Sequence, residues 1–467
     1  MSSIPDSSIP ALTPLEKIGP KGYLQYIFLF ELPQSYDTQE IVHILRVGYY
    51  AASKIFIPLI CEALPDIEAR PAGVWKLRRI EDENLDVIAF KDSRDPGAFP
   101  FTFAELKAEF FPVSAFDTDD IMRRHVWPQP GDRLPVSQIK ATFIQGGLVL
   151  GWSLLHMFGD GKTFSLWMHV LAEECRRAQN LDILKPIELP QAIFKDRELL
   201  MKSSGRNPGR LEDHKEYTLL PFTPQGMPPK MLSKNHRGQV FYFSPNALQA
   251  LKSEAWPDKA TTPTTQKWIS TNDALSALLW RTIMAVQFPL DTLEGDPVST
   301  FNIAIDGRSR TSPPLHPETL GCFLEYVAPS LPIREMLSTL SLADIALKVR
   351  QAVLRADKEW TDDIIALIEK HVEDVDRLVP TAFLDVPGFH CVQTSWVNFT
   401  LYDIDWGHAL GNNIQAVRSP SCGVLNGLQV IFPILPDGGL EVLVGVEDSY
   451  LDRLLCEPLW NKFAKAR

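Results

Sequence analysis

Between positions 152 and 175 the sequence reads Trp-Ser-Leu-Leu-His-Met-Phe-Gly-Asp-Gly-Lys-Thr-Phe-Ser-Leu-Trp-Met-His-Val-Leu-Ala-Glu-Glu-Cys, with His156, Asp160 and Gly161 at its centre. Imidazole is the side chain that takes and returns a proton near neutral pH, and His156 closes an apolar run. Asp160-Gly161 is a turn dipeptide, after which Phe164, Trp167, Met168, Leu171 and Cys175 recur at helical spacing. The stretch therefore reads as strand, tight turn, buried helix. An imidazole at a strand end can face a cavity, while Asp160, four residues on, can hold the loop through hydrogen bonds or a salt bridge. Alone the pair is a weak signal, because a histidine at a strand end is as often a satisfied structural residue as a reactive one.

A second group with chemical capacity is Asp306-Gly307-Arg308-Ser309-Arg310, directly after the apolar run 301–305. If strand geometry continues, Arg308 and Arg310 face one side, where they can pair buried carboxylates or an anion. A solvated basic loop is the alternative. Arg350 and Arg355 are further cations that could serve an anionic small molecule.

The elements that must position these groups follow from periodicity. Residues 22–30 are aromatic and β-branched and read as a strand, and 41–64 carry a helical pattern ending near Ile55. Residues 74–80 and 85–90 alternate as strands, and 103–110 form a short helix. Residues 141–144 and 148–155, joined through Gln145-Gly146-Gly147, make a hairpin that delivers His156 to a strand end. From 184 to 238 periodicity weakens and Pro, Gly and Lys accumulate, which predicts a crossover linker. Beyond it come a strand at 240–243, a helix at 245–255 capped by Ser244, and a helix through Trp280. A strand at 301–305, long helices at 340–355 and 361–378, a strand at 394–399, a hairpin from 427–434 to 440–446 and a closing helix complete the order.

Composition bounds the function. A chain of 467 residues is too long for one ordinary core, and at about 100–200 residues per domain it predicts two large ones. Hydrophobic content of 45% with 22% charged residues is that of a globular enzyme-sized protein. The net charge of −12 argues against nucleic acid as a partner. The six cysteines, Cys61, Cys175, Cys322, Cys391, Cys422 and Cys456, form no Cys-x-x-Cys, so neither a metal site nor a disulfide framework is expected. Residues 1–20 lack a signal-peptide pattern, and apolar runs such as 148–155 fall short of the roughly 18 residues of a membrane helix. A cytoplasmic, monomeric protein without a membrane span is the expectation.

Several of these blocks fit one family together. The chain resembles the plant and fungal BAHD acyltransferases, the group that includes trichothecene acetyltransferases, within the chloramphenicol-acetyltransferase-like superfamily. Residues 156–161 match the family's His-x-x-x-Asp-Gly, and Ile269-Ser270-Thr271-Asn272-Asp273-Ala274-Leu275 the segment opening its C-terminal domain. Residues 306–310 with Pro313-Pro314-Leu315 match its arginine block. The family's Asp-Phe-Gly-Trp-Gly is altered to Asp403-Ile404-Asp405-Trp406-Gly407, with Asp403 aligned to the motif's Asp and Asp405 as the alternative bearer. Gly321-Cys322 stands where many members have Gly-Asn.

The resemblance implies an α/β fold of two similar chloramphenicol-acetyltransferase-like domains, each a mixed β-sheet with flanking helices, with the active-site channel between them. It divides the chain into 1–190, a crossover 191–238, and 239–467. It implies that His156 takes the proton of an alcohol attacking an acyl-CoA thioester and returns it to the CoA thiolate. Asp160 is implied to be structural, turned toward Arg308, with Asp403 a further structural position. Ser270, Thr271, Ser395 and Trp396 are implied CoA contacts. Acyl-CoA, with acetyl as the expected acyl group, is then a co-substrate, with no permanently bound cofactor and a small secondary metabolite as acceptor.

The alternatives are a condensation-type enzyme using a carrier-protein thioester, amine acylation, and a non-catalytic binding protein. Carrier-protein enzymes typically carry two consecutive histidines, whereas Leu155 precedes His156 here. A binding protein is expected to have lost the His or the Asp, and both are present.

Overall fold

Strand and helix ends in both halves of the chain are fixed by local chemistry. The computed structural model describes residues 10–66, 75–81, 87–116, 121–129, 131–224, 226–231, 235–420 and 426–467. Thr13 caps α1 (Pro14–Ile18): its hydroxyl accepts from the Glu16 amide while the Glu16 carboxylate accepts from the Thr13 amide. This reciprocal pair satisfies two otherwise orphaned donors of a short helix. There follow β1 (Tyr23–Glu31), α2 (Thr38–Ile55), β2 (Ile88–Asp92), β3 (Ser137–Ile144), β4 (Gly147–Leu155) and α3 (Gly161–Ala178). The β3–β4 hairpin turns through Gly146 at φ +82°, a left-handed conformation that glycine adopts without a Cβ clash.

The second half supplies β5 (His236–Phe243), α4 (Thr271–Gln287), β6 (Val298–Asp306), β7 (Leu324–Val327), α5 (Leu342–Arg355), β8 (Cys391–Ser395), β9 (Ala416–Arg418), β10 (Leu428–Ile431), β11 (Leu440–Glu447) and β12 (Lys465–Ala466). Two mixed sheets result. The first has the order β9-β1-β4-β3-β2, with only β2 and β3 parallel. The second has the order β7-β6-β8-β10-β11-β5-β12, with β6–β8 and β8–β10 parallel and Ser330–Pro332 added against β6. The expected α/β architecture of mixed sheets with flanking helices is the one observed. Among the described residues no helix is long and apolar enough to cross a membrane.

The two halves are interleaved more than a division at 190 and 238 anticipates. Successive strand side chains point to opposite faces, so Val240, Val430 and Leu443 pack with β1, β4 and α3 in the first core. Their neighbours Phe241, Ile431, Val442 and Val444 belong to the second. Leu15 and Ile18 of α1 pack into the second core, while Trp396, Trp406 and Val417 pack into the first. The segment expected as a linker carries the helical turns Ala192–Lys195 and Asp196–Leu200. It also carries the strand Tyr217–Leu219, paired with Leu378–Pro380.

Other local expectations shift. Residues 307–310 form a 3-10 turn because the Asp306 carboxylate accepts from the Arg308 amide, so the strand does not continue through the arginines. Strand β8 stops at Ser395, where the chain turns and the Phe399 amide donates to the Trp396 carbonyl. The helix read over 361–378 divides into Trp360–Lys370 and the 3-10 segment Val372–Arg377, and α4 runs past Trp280 to Gln287. The chain closes in β12, not in a helix, after the short helices Leu451–Cys456 and Pro458–Asn461. Val74, Leu85, Asp86, Cys422 and residues 1–9 lie outside the described residues; the two early strands are otherwise Trp75–Arg79 and β2.

Arg418 of β9 ties the first sheet to the second. Its Nη1 and Nη2 donate to the Glu441 carboxylate on β11 at 2.7 and 3.1 Å, and its Nε donates to the Phe111 carbonyl at 2.8 Å. Both side chains are almost fully buried. Arg418→Met leaves Glu441 with only Arg467, and breaking such a pair costs roughly 3–5 kcal/mol. The unfolding free energy is expected to fall by the lower end of that range, which lowers the denaturant midpoint in proportion. A midpoint equal to that of the parent protein would show that Arg467 alone neutralises Glu441.

Candidate active site

Strand β4 is buried along its whole length, and its apolar side chains fix where it ends. The His156 amide donates to the Gly22 carbonyl at 3.0 Å, the last rung between β4 and the chain entering β1. The chain then makes a 3-10 turn over His156–Phe158, and Asp160 caps α3 by accepting from the Thr163 amide at 3.0 Å. Gly161 opens that helix under the Phe399 ring, which a Cβ at this position would approach to 2.7 Å. Close contact between α3 and the turn after β8 therefore requires glycine here.

The Asp160 carboxylate does not address His156. Its oxygens accept from Arg308 Nη1 at 2.7 Å and Nη2 at 3.0 Å, from the Thr163 amide, and from the Phe323 amide at 2.9 Å. Arg308 is buried, with Nε and Nη2 also donating to the Thr319 carbonyl and the guanidinium lying 4.5 Å from the centre of the Phe323 ring. Burial works against ionisation of Asp160, but Arg308 and the two amides outweigh it and hold the carboxyl below its usual range. For Arg308, burial is likewise outweighed by Asp160 and Asp306, which raise its pKa. The pair joins α3 to the loop after β6.

Thr163 completes the joint. Its hydroxyl donates to the Gly321 carbonyl at 2.8 Å and accepts from the Gly321 amide at 3.1 Å, and the Asp160 amide donates to the same carbonyl. Gly321 takes φ +143°, and a Cβ there would lie 2.8 Å from both a Glu16 oxygen and the Phe323 ring. The next residue, Cys322, brings Sγ to 4.0 Å from His156 Nδ1. The imidazole is partly accessible and lies tilted at 59° to the Phe164 ring, with ring centres 6.1 Å apart. Burial lowers its pKa below that of ordinary imidazole, against the carbonyls of His156 and Gly159 and the Asp160 charge. Burial also pushes the Cys322 thiol well up.

A cavity of about 250 Å³ opens on the same seam, lined by Lys162, Ser165, Leu166 and His169 of α3 with Glu318 and Thr400. The α3 residues are spaced to share one helix face, so the helix that carries the Asp160 cap also forms one wall of the cavity.

The other candidates fall in different places. Ser270 caps α4, its hydroxyl accepting from the Asp273 amide. Ser276 of α4 donates to Gln393 of β8 at 2.8 Å, which puts Ser395, two residues on, on the same sheet face, toward the α4 end that begins with Thr271. The Ser395 hydroxyl is buried without a partner among the described residues. Trp396 points the other way, into the first core, 4.5 Å from the Tyr26 ring. Asp403 and Asp405 are both exposed; Asp405 pairs with Arg176 of α3 and accepts from the Gly407 amide. Ile404 takes the buried position between them, and the Asp405 contact reaches the far end of α3.

Arg310 does not share a side with Arg308; it donates to the Val353 and Ala356 carbonyls at the end of α5. Arg350 lies over Trp268, and Arg355 pairs with Glu216, so both are taken up by internal contacts and not by an open anion site. The sequence alone assigns no role to Thr163, Glu16 or Arg197, and marks Gly321 only as the neighbour of Cys322 in the Gly-Asn position. Only Thr13-x-x-Glu16 had a readable signal, the capping box.

Removing the Arg308 guanidinium strands a buried carboxylate, at roughly 3–5 kcal/mol. Arg308→Ala is expected to lower the thermal midpoint and lose activity together. An Arg308→Ala protein that melts with the parent would show that the ion pair does not hold the seam.

The sequence matches the Transferase family over residues 91–451. It is 26% identical over 419 residues to eremophilane O-acetyltransferase prx11 of Penicillium rubens, covering 81% of this chain and 82% of that protein. It is 25% identical over 456 residues to enoyl-CoA isomerase/hydratase claC of Penicillium crustosum. That match covers 96% of this chain but only 50% of the relative, so the chain spans half of that protein's length. The fold superposes on F. graminearum TRI101 complexed with coenzyme A and deoxynivalenol with a TM-score of 0.82 at 23% identity, over 97% of this chain and 98% of that one. With the family match spanning most of its length, the chain belongs to the Transferase family, as an acyltransferase of the BAHD type.

Proposed function

We propose that this protein moves an acyl group, acetyl in the first instance, from acyl-CoA to a hydroxyl of a small secondary metabolite, with His156 as general base. The observation that carries the proposal is the separation of His156 from Asp160. The carboxylate is bound up with Arg308 and two amides, so among the described residues the imidazole has no carboxylate partner, and burial lowers its pKa. A neutral imidazole can accept a proton. An alcohol is a weak nucleophile until it loses one, so His156 takes the hydroxyl proton as the oxygen attacks the thioester carbonyl. Collapse of the tetrahedral adduct breaks the C–S bond, and the imidazolium returns the proton to the departing CoA thiolate.

Two features support the substrate classes. The name of prx11 is that of an O-acetyltransferase, and TRI101 carries coenzyme A and a small toxin together. The seam cavity, with Leu166 beside Lys162, His169 and Glu318, suits a molecule that is partly apolar and partly polar. For CoA, Ser270, Thr271 and Ser395 are the contacts we retain from the four implied by the resemblance, since Trp396 is packed into the first core. Substrates then meet between the halves 1–190 and 239–467.

The direct test is mass spectrometry of products formed from acetyl-CoA and a panel of secondary-metabolite alcohols. His156→Ala is expected to keep the fold and CoA binding while losing about 10²–10⁴-fold in turnover; near-parental turnover would remove His156 from the reaction. The pH profile is an independent measurement. Because burial depresses the imidazole pKa, the neutral base persists below the ordinary value of about 6.5. Activity should be lost only as pH falls through that depressed value. An acid limb above it would point to a different ionising group.

A further inference from the structure

The turn from Gly321 to Phe323 is gripped by two carboxylates, and only one of them belongs to the His156 motif. The second is Glu16. Its Oε1 accepts from the Cys322 amide at 3.3 Å, and its Oε2 accepts from the Thr13 amide at 2.7 Å and from Arg197 Nη2 at 2.6 Å. The Glu16 side chain is 1% exposed and that of Arg197 11%. Burial raises the Glu16 carboxyl, against the pull of Arg197 and the two amides.

A buried ion pair is weak grounds for stability, because desolvation offsets the attraction; what matters is what this one holds still. A Cβ at Gly321 would meet Glu16 at 2.8 Å, so the turn runs close against that carboxylate, and Cys322, held by its amide, places its sulfur 4.0 Å from His156 Nδ1. The carboxylate rides on α1, anchored by Leu15 and Ile18 in the second core. Its arginine comes from the helical turn Asp196–Leu200 in the stretch read as a linker. Asp160 with Arg308 grips the same turn from the α3 side at the Phe323 amide. Consecutive amides of one turn are thus fixed by two separate carboxylate–arginine pairs.

We propose that Glu16, with Arg197, is a positioning residue for acyl transfer: it fixes the Gly321–Cys322 turn and, through the Cys322 side chain, the orientation of the His156 imidazole. The inference rests on His156 as the base, and His156→Ala measured alongside separates failure of that reading from failure of this one.

Glu16→Gln keeps the side-chain volume but replaces one acceptor oxygen with a donor, so it cannot serve Cys322, Thr13 and Arg197 at once. Arg197→Lys keeps the charge but loses the planar fork, and it serves if Glu16→Gln folds poorly. Turnover per folded molecule is expected to fall about 10- to 100-fold in Glu16→Gln, the scale of a misplaced catalytic group. KM for both substrates should stay within about twofold, and Arg197→Lys should lose less. Among the described residues the ionisable groups acting on the ring are Cys322, with its sulfur 4.0 Å from Nδ1, and Asp160, which acts by charge alone; both keep their identity in these variants. A loosened, better hydrated imidazole should therefore shift the acid limb of the pH profile upward, toward about 6.5. A lower melting temperature with turnover per folded molecule and acid limb both unchanged in the two variants would overturn the proposal and leave the pair as a structural staple.

Discussion

The site depends on one interaction, the buried pairing of Arg308 with Asp160. It spans the seam between the halves, and each member is held a second time by its own segment: Asp160 by the α3 cap, Arg308 by Asp306 and the Thr319 carbonyl. Such a pair is costly to bury and costly to break. It fixes the distance between α3 and the loop after β6, and with it the gap in which His156 sits. The same geometry excludes a triad, since a carboxylate whose acceptor positions are filled by a guanidinium and two amides has nothing left for imidazole.

His156 is tuned by its surroundings more than by any partner. Burial lowers its pKa, and only nearby carbonyls and the more distant Asp160 charge oppose this. An imidazole whose pKa is lowered by burial needs no carboxylate to deprotonate it, and its orientation depends on what holds the ring. The flanking contacts are Phe164 and Cys322, and the latter hangs from a turn whose conformation depends on Gly321 at positive φ and on amides bound by Glu16 and Asp160.

The seam itself is not a boundary between independent bodies. Alternation along β10 and β11 sends every second side chain into the other half's core, and α1 and β9 cross over in opposite directions. Arg418 and Glu441 add a buried pair between the sheets. Relative motion of the halves would have to expose apolar strand faces as well as break ion pairs, so the gap around His156 is set by the whole core.

What the sequence determined was local. The apolar run along residues 148–155, the Asp160-Gly161 turn and the helical spacing from Phe164 to Cys175 are short-range patterns. They placed His156 at a strand end and Asp160 at a helix start before any tertiary contact was known. The blocks at 156–161, 269–275 and 306–310 likewise stood in readable order. Only the tertiary structure decided the rest, because the deciding partners are far apart in the chain and carry no spacing signal. Glu16 meets Cys322, Arg308 meets Asp160, and Arg418 meets Glu441 across folds of backbone that periodicity cannot see. It also decided that Asp405 is the one paired with Arg176. Two acids separated by one residue look alike in sequence, and which is bound follows from Ile404 being drawn into the first core and from where Arg176 of α3 emerges. Arg310 turned to the end of α5 for the same kind of reason: a 3-10 turn begun by Asp306 rotated it away from Arg308, and only the packed helix supplied carbonyls to receive it.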